Sequence, residues 1–325
     1  HAAARLDQLD VSYGPEERAL RVAGSGDVSF GASPLLRAQL AARQLDVDRF
    51  FAKDNAAEPV RVLPAMRALL SGIPSAPWPV QVEFSSDQIT LGGRPVQDVA
   101  TEVRAEGAVW TVRKLEFRAP GSTRVSLSGA SAQSADTFKA ALSVDSTDPD
   151  ALATWLQGRN DLALRSQKPL RLRGEVDAAP HSVAINAMKA EFDGGAVEGR
   201  VAISHPRPGG GARIEADLKS ERLDLDAVIV LLRSLGGPQG EWPEEAQLSL
   251  DVGRAMSAGQ ELRPLQARLG YGPKSLTLEH LRIGQPDNVT LEGSGSFDRA
   301  AVTGKLALNS SAASLSRLTA LINPF

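Results

Sequence analysis

Apolar residues alternate with polar or small residues in short runs along most of the chain, most clearly between residues 170 and 235. Val183 and Ile185 form one run, and Val201 and Ile203 end the next. Period-two alternation over four to eight residues marks a strand with one buried face. The Pro- and Gly-rich segment 206–211 between two runs lets the chain reverse. This stretch therefore predicts an antiparallel meander.

A short helix is predicted to follow the meander. The period changes at Leu223–Asp226, and residues 227–235 form an apolar run that stops at Gly236-Gly237-Pro238. Asp224 or Asp226 is placed to cap the start of this helix, and the glycine pair is placed to cap its end.

Three other segments repeat this order of strand, turn, alternating strand and brief apolar helix. They are residues 22–52, 125–156 and 291–322, and the corner at Asp46–Asp48 resembles the one at Asp224–Asp226 most closely. The copies are about 70–105 residues apart, longer than the repeats of compact solenoids, so each copy would contain several strands. We predict one elongated array of four repeats, at residues 1–75, 76–168, 169–238 and 239–325.

The remaining elements complete a strand-rich picture. Further short helices are predicted over residues 60–71, 148–156 and 315–322, and the Pro-rich connector 73–79 is expected to lack regular structure. Strands outnumber helices and do not alternate with them, which favours an antiparallel sheet. A sheet of so many strands must curl, close or split in two. The periodicity alone fits a sandwich or a barrel.

Composition narrows the possible partners. The 325 residues carry a formal net charge of −3, and the Lys and Arg residues are scattered. Nucleic acid and anionic membrane surfaces are therefore not expected as general partners. The chain contains no cysteine, which excludes disulfides, thiolate metal sites and a cysteine nucleophile.

Membrane attachment is expected only through a segment outside these 325 residues. No run of 18 or more apolar residues is present, so nothing in the sequence is long enough to span a bilayer. The chain opens on His1 without an initiator methionine and ends on Phe325 directly after a predicted helix. We expect it to be a piece of a longer protein, with an anchor or export signal elsewhere.

Catalytic and metal-binding patterns are weak. The four histidines show no HxxxH or HExxH spacing, and Gly293–Ser296 lacks the G-x-S-x-G order of a nucleophile elbow. Carboxylate pairs such as Glu16-Glu17 and Glu244-Glu245 follow prolines in turns, where solvation is the simpler explanation. The sequence predicts no enzyme activity, no cofactor and no metal.

Four segments resemble the AsmA-like family, which is related to the TamB and chorein-type bridge-like lipid transfer proteins. They read VWTVRKLEFRAPGSTRVSLSG (109–129), AINAMKAEFDGGAVEGRVAI (184–203), ARIEADLKSERLDLDAVIVLL (212–232) and SLTLEHLRIGQPDNVTLEGSGSF (275–297). The resemblance covers most of the chain, best over residues 80–325, and rests on patterns instead of catalytic residues.

The resemblance implies a mainly β fold: a long curved antiparallel sheet that forms a repeating β-groove, with a few short helices between repeats. It also implies a periplasmic protein, anchored in the inner membrane, that carries phospholipid or another acyl lipid for outer-membrane biogenesis. A second hypothesis is a β-rich scaffold that binds outer-membrane assembly proteins, by edge-strand addition, without carrying lipid.

An apolar groove is the candidate binding site. Its predicted wall consists of aliphatic strand residues, each of which also fits ordinary core packing. These residues are Ile89, Leu91, Val125, Leu127, Val183, Ile185, Val201, Ile203, Ile214, Leu218, Leu276, Leu278, Val289, Leu291, Leu306 and Leu308.

Overall fold

The chain divides into two compact units, His1–Arg171 and Leu172–Phe325. The division falls close to the expected boundary between the second and third repeats. The structure, a computed structural model, describes residues 3–52, 59–71, 76–107, 109–131, 137–158, 168–205, 211–236, 243–285 and 289–312.

Unit 1 is a sheet with three short helices. In chain order its elements are β1 (Ala3–Tyr13), a 3-10 turn (Glu16–Arg18), β2 (Leu20–Ser29), β3 (Leu35–Asp46), α1 (Val47–Phe51), α2 (Val62–Ser71), β4 (Ala76–Leu91), β5 (Arg94–Gly107), β6 (Val109–Ala119), β7 (Thr123–Ser131), β8 (Phe138–Ser146) and α3 (Pro149–Gln157).

Unit 2 repeats the plan with one described helix. Its elements are β9 (Leu170–Ala179), which begins just before the boundary, β10 (Ser182–Phe192), β11 (Gly195–Ser204), β12 (Arg213–Asp224), α4 (Leu225–Gly236), β13 (Glu245–Ser257), β14 (Gln260–Leu262), β15 (Leu265–Tyr271), β16 (Ser275–Gln285), β17 (Val289–Asp298) and β18 (Thr303–Ser311).

The predicted fold class is confirmed, because the chain is mainly β, in open curved sheet with a few short helices. Most neighbouring strands pair antiparallel, as expected. Two pairs, β3–β4 and β12–β13, are parallel, which the sequence did not predict. In both cases the intervening chain forms helices that carry it back to the start of the next strand, as a parallel pair requires.

Each sheet has one apolar and one polar face. Residues directly opposite each other on paired strands lie on the same side of a sheet. Val11 faces Val22, Leu36 faces Val80, and Leu115 faces Leu127. The alternate positions of β2, from Arg21 to Asp27, are exposed. The period-two pattern therefore builds one continuous apolar surface in unit 1.

The polar faces carry cross-strand ion pairs. In unit 1, Arg113 contacts Glu102 on the neighbouring strand at 3.0 Å. In unit 2, Lys189 contacts Glu198 at 3.2 Å, and Arg213 reaches Glu245 at 3.4 Å. Exposed pairs of this kind stabilise by at most about 1 kcal/mol each. Their main effect is to keep these faces in water.

The buried cores lie where the helices meet the apolar faces. Trp155 of α3 is 3% exposed, and its indole N–H donates to the carbonyl oxygen of Leu91 at 2.7 Å. The core of unit 1 comprises Val47, Val62, Ala65, Leu91, Val96, Val99, Ala119 and Trp155. The core of unit 2 comprises Leu223, Val252, Ala255, Leu262, Leu265, Ile283 and Val289.

The two Asp-x-Asp corners have the same structure. Asp46 caps α1 by accepting from the Arg49 N–H at 2.8 Å. Asp48, two residues on, accepts from the N–H groups of Gly92 and Gly93 at 2.8 and 2.7 Å. The first aspartate therefore starts the helix, and the second holds the β4–β5 turn against it.

The corner in unit 2 divides the same two tasks. Asp224 caps α4 by accepting from the Ala227 N–H at 3.0 Å, which decides between the two predicted caps. Asp226 accepts instead from the Ala258 N–H in the β13–β14 turn at 2.8 Å. The sequence similarity of the corners thus reflects a shared connection that fixes a helix to the next hairpin.

Two of the other three predicted helices lie in the described part of the chain. The helices predicted over residues 60–71 and 148–156 are present as α2 and α3, with ends that differ by at most two residues, whereas the helix predicted at 315–322 lies outside the described residues. The expectation that the connector 73–79 lacks regular structure is wrong over residues 76–79, because β4 begins at Ala76 and includes Pro77 and Pro79, whereas residues 73–75 lie outside the described residues. The β4–β5 register shifts between Ala76 and Val80, which accommodates the missing proline N–H groups.

The substitution Asp48→Ala is expected to lower the free energy of unfolding by about 2–3 kcal/mol, because it removes two hydrogen bonds to a charged acceptor. Urea unfolding of the 325-residue chain measures this. The matched control is Asp7→Ala, which removes only an exposed ion pair to Arg5 and should cost below about 0.5 kcal/mol. Equal costs for the two variants would contradict this role of Asp48.

Candidate functional site

The strand register of unit 2 arranges its apolar side chains in rows that cross the sheet. In the row farthest from the core, Val183 faces Ile203, Ile203 faces Ile214, and Leu276 faces Phe297. We call this the outer row, and it comprises Val183, Ile203, Ile214, Ala246, Tyr271, Leu276 and Phe297.

Three further rows lie between the outer row and the helix. One of them separates the middle row from the inner row defined below, and it comprises Gly199, Leu218, Leu250, Ala267, Leu281, Gly293 and Leu308. The middle row comprises Ile185, Val201, Ala216, Leu248, Leu269, Leu278, Gly295 and Leu306. The inner row comprises Ser220, Val252, Leu265, Ile283 and Leu291.

Burial falls steeply from the inner row to the outer row. Val252 is 0% exposed and Leu265 7%, whereas Val183 is 45%, Ile203 43% and Leu276 44% exposed. In the inner row the side chains pack in the core beside Leu225 and Val228 of α4. The apolar face is therefore closed beside the helix and accessible at the opposite ends of the strands.

No second sheet covers the accessible rows within the described part of unit 2. All the strand pairs there belong to one sheet, and that sheet supplies both the polar face and the apolar rows. A sandwich would bury the same face under a partner sheet about 10 Å away. The sandwich that the periodicity allowed is thus not the arrangement of these strands.

The apolar face of unit 1 follows the same plan. Ile89 and Leu91 lie at its closed end, in or against the buried core. At the other end Phe30 and Trp78 are about half exposed, at the end of β2 and the start of β4. The row that joins Leu40, Phe84, Thr101, Leu115, Leu127 and Leu142 lies between them.

Glycines on the apolar face permit a close approach of neighbouring strands. A Cβ at Gly24 would lie 1.8 Å from the carbonyl oxygen of Gln39, and one at Gly295 would lie 2.5 Å from that of Lys305. Both glycines point to the apolar side by register, opposite Leu40 and Leu306. Such glycines mark places where a sheet bends or where neighbouring backbones come close together.

At two β-bulges the alternation of polar and apolar residues shifts by one position, but the apolar face of the sheet continues. Ala187 has φ 46°, and the β10–β11 register shifts between Ile185 and Met188. Asp98 has φ 50° and has the same effect in β5, so that Val96 and Val99 both enter the core. One extra residue at a bulge returns the next side chain to the same side.

All sixteen predicted wall residues fall on the apolar faces, but at different depths. Leu91 and Val289 belong to the buried cores, and Ile89, Val125 and Leu291 pack against them. These five form the closed end and not an accessible wall. Leu127, Leu218 and Leu308 lie in intermediate rows. The other eight lie in the middle and outer rows toward the accessible end: Val183, Ile185, Val201, Ile203, Ile214, Leu276, Leu278 and Leu306.

Several residues of the rows were missing from the prediction. Leu248 and Leu269 sit in the middle row, and Tyr271 and Phe297 sit in the outer row. Leu248 belongs to an alternating run that the sequence shows clearly, so the same period-two rule extends to it. Phe297 follows the Gly-Ser repeat of β17, where the alternating residues are too small to mark a face.

The described residues offer little support for a binding site of another kind. A depression of 1170 Å³ in unit 1 lies among β1–β4, and charged residues of both signs line it, including Asp10, Arg21, Arg43 and Asp87. Most of its lining residues belong to the polar face, although Val11 and Val22 also contribute. Among the described residues no group of three or more His, Asp or Glu side chains is placed to hold a metal ion. No helix in the described ranges is long and apolar enough to cross a membrane.

Comparison of the chain with known protein families, with curated proteins and with solved structures finds no match. The apolar rows and their graded exposure are therefore the observations from which a function is inferred.

The substitution Gly295→Ala is expected to lower the free energy of unfolding by about 1–3 kcal/mol, because the added methyl group meets the Lys305 carbonyl and the Leu306 side chain. The matched control is Gly270→Ala in β15, where the nearest atom, Cβ of Thr277, is 3.8 Å away. That control should change stability by less than about 1 kcal/mol. Chemical denaturation compares the two, and an equal cost would argue against a bend at Gly295.

Proposed function

We propose that this chain is a non-enzymatic module that shelters lipid acyl chains in an apolar groove. The observation that carries the proposal is the gradient in unit 2, from a fully buried Val252 to a half-exposed Val183, on a face with no second sheet in the described residues. Monomeric proteins rarely expose a contiguous apolar surface of this kind, and such surfaces mark binding sites.

The dimensions suit one acyl chain. The outer row crosses seven strands, from β10 to β17 without the short β14. At about 4.8 Å per strand spacing the row extends over roughly 29 Å. One leaflet of a bilayer is about 15 Å of hydrocarbon, which is the reach of an acyl chain. The row is therefore long enough to cover a lipid tail.

The energetics favour a non-specific apolar site. Each CH₂ group removed from water contributes about 0.8 kcal/mol, so a C16 chain needs roughly 12 kcal/mol of shelter to cross an aqueous gap. The middle and outer rows offer Ile185, Val201, Leu248 and Leu278 side by side. Aliphatic side chains supply this shelter without recognising a particular head group.

The resemblance to AsmA-like proteins gives the proposal its setting. We propose that the module works in the periplasm, in a protein anchored in the inner membrane, and that it serves lipid transport for outer-membrane biogenesis. Phospholipid is the proposed cargo. Transfer of an intact lipid makes and breaks no covalent bond, which is consistent with a site built from Val, Leu and Ile.

The substitution Leu276→Glu is expected to weaken binding of a fluorescent fatty acid by the delipidated protein about tenfold or more, because it places a carboxylate in the outer row. The matched control is Thr277→Glu, one residue away on the polar face, opposite Gly270 and Ser296. Titration of probe fluorescence gives both affinities, and the control should bind as tightly as the unchanged protein.

Two results would count against acyl-chain shelter. One is the absence of fatty-acid uptake by the unchanged, folded protein. The other is an equal loss of binding in the Leu276 and Thr277 variants, which would point to a general effect of charge. Lack of uptake together with capture of an outer-membrane assembly protein would favour the scaffold hypothesis.

A further inference from the structure

Two turns at the accessible end of unit 2 are joined into one tip. They are residues 272–274, between β15 and β16, and residues 299–302, between β17 and β18. The Arg299 N–H donates to the Lys274 carbonyl at 2.8 Å. Its guanidinium donates to the Tyr271 hydroxyl at 2.9 Å and lies 5.1 Å from the centre of that ring. These bonds hold the two turns together, and we call them the double-turn tip.

Val302 occupies an unusual position in this tip. Its φ is 53°, in the left-handed region that glycine and asparagine adopt easily, and its side chain is 74% exposed. A β-branched residue in this region is strained. Because the side chain is mostly in solvent, packing inside the protein does not account for the strain. The tip therefore presents an isopropyl group outward in an unfavourable conformation.

Two basic residues flank Val302. Lys274 is exposed, and neither Lys274 nor Arg299 forms an ion pair with a carboxylate in the described part of the chain. The nearby Asp298 accepts from the N–H groups of Ala300 and Ala301 at 2.9 Å, so it stabilises the backbone of the turn. The tip thus combines an exposed apolar group with two cations that form no ion pair in the described residues, although Nη1 of Arg299 already donates to the Tyr271 hydroxyl and the Gly272 carbonyl.

The tip is continuous with the outer row. Tyr271 and Leu276 are opposite each other directly beside the first turn, and Phe297 lies just before the second. Leu306, on the strand that leaves the tip, is 64% exposed. Exposed apolar residues are therefore present both in the tip, at Val302, and in the rows that begin directly beside it.

We propose that the double-turn tip docks on a bilayer that contains anionic phospholipid. Val302 inserts among the lipids, and Lys274 and Arg299 bind the head-group phosphates. Each Lys or Arg near an anionic membrane surface contributes about 1 kcal/mol to binding, and an apolar group that enters the interface adds to this attraction. The local charge is positive although the whole chain carries −3. We also infer that acyl chains enter the groove at this tip. That role rests on the proposed function, whereas docking on the bilayer does not.

A single fluorescent label tests insertion directly. The chain has no cysteine, so Val302→Cys gives one site for an environment-sensitive dye. The matched control is Ser122→Cys, an exposed turn residue of unit 1 with φ 50°. We expect a blue shift and higher emission at residue 302 with vesicles of phosphatidylcholine and phosphatidylglycerol, and none at residue 122. No response at 302, or the same response at both positions, would overturn the proposal.

Vesicle flotation of unlabelled variants tests the chemistry. Val302→Gly should bind the mixed vesicles about tenfold more weakly, because an isopropyl group no longer leaves water. Lys274→Gln should bind about fivefold more weakly, because one cation near the surface is lost. Lys219→Gln, on the exposed polar face of β12, should bind like the unchanged protein. Binding of Val302→Gly equal to that of the unchanged protein would overturn the proposal.

Two further measurements separate docking from acyl-chain shelter. Val302→Gly should melt at the same or a higher temperature, since glycine adopts a positive φ freely, so that lost binding cannot come from unfolding. The same variant should still take up monomeric fatty acid. Vesicle docking without fatty-acid uptake in the unchanged protein would remove the proposed function and leave docking in place. Fatty-acid uptake without vesicle docking would remove the docking proposal and leave acyl-chain shelter in place.

Discussion

The structure depends on how each sheet removes its single apolar face from water. A sheet with one apolar face normally packs it against another layer. Among the described residues, the helices cover that face only near the corners, where Val47 and Leu225 follow a capping aspartate. Beyond the helices the apolar side chains of neighbouring strands cover one another only in part. Half-burial of the remaining rows follows directly from this arrangement.

The Asp-x-Asp corner makes partial closure possible. Its first aspartate begins a helix at the end of a strand, and its second ties that helix to the next hairpin turn. The corner therefore fixes where the cover starts. Because the following strand is parallel to the one before, the chain must also return along the sheet, and it begins that return over the apolar face. One local motif thus sets both the core and the limit of the accessible rows.

The two faces of the sheet carry different kinds of side chain. Cross-strand ion pairs such as Arg113–Glu102 and Lys189–Glu198 keep one side hydrated. The other side is aliphatic, with aromatic residues such as Trp78 and Phe297 at its accessible end. A ligand that suits such a site is itself one-sided, with an apolar tail and a polar head. The double-turn tip of unit 2 adds cations at the place where a polar head would emerge.

The sequence by itself determined the strands, the faces and the corners, because period-two alternation and capping aspartates act locally. All sixteen predicted wall residues lie on apolar faces for that reason. The alternation could not separate Leu91 and Val289, which are core, from Ile203 and Leu276, which are accessible. That distinction, the parallel pairs and the bulges at Asp98 and Ala187 depend on contacts between residues far apart in the chain. Only the tertiary structure decided them, because burial is set by what lies across a strand and not by the period along it.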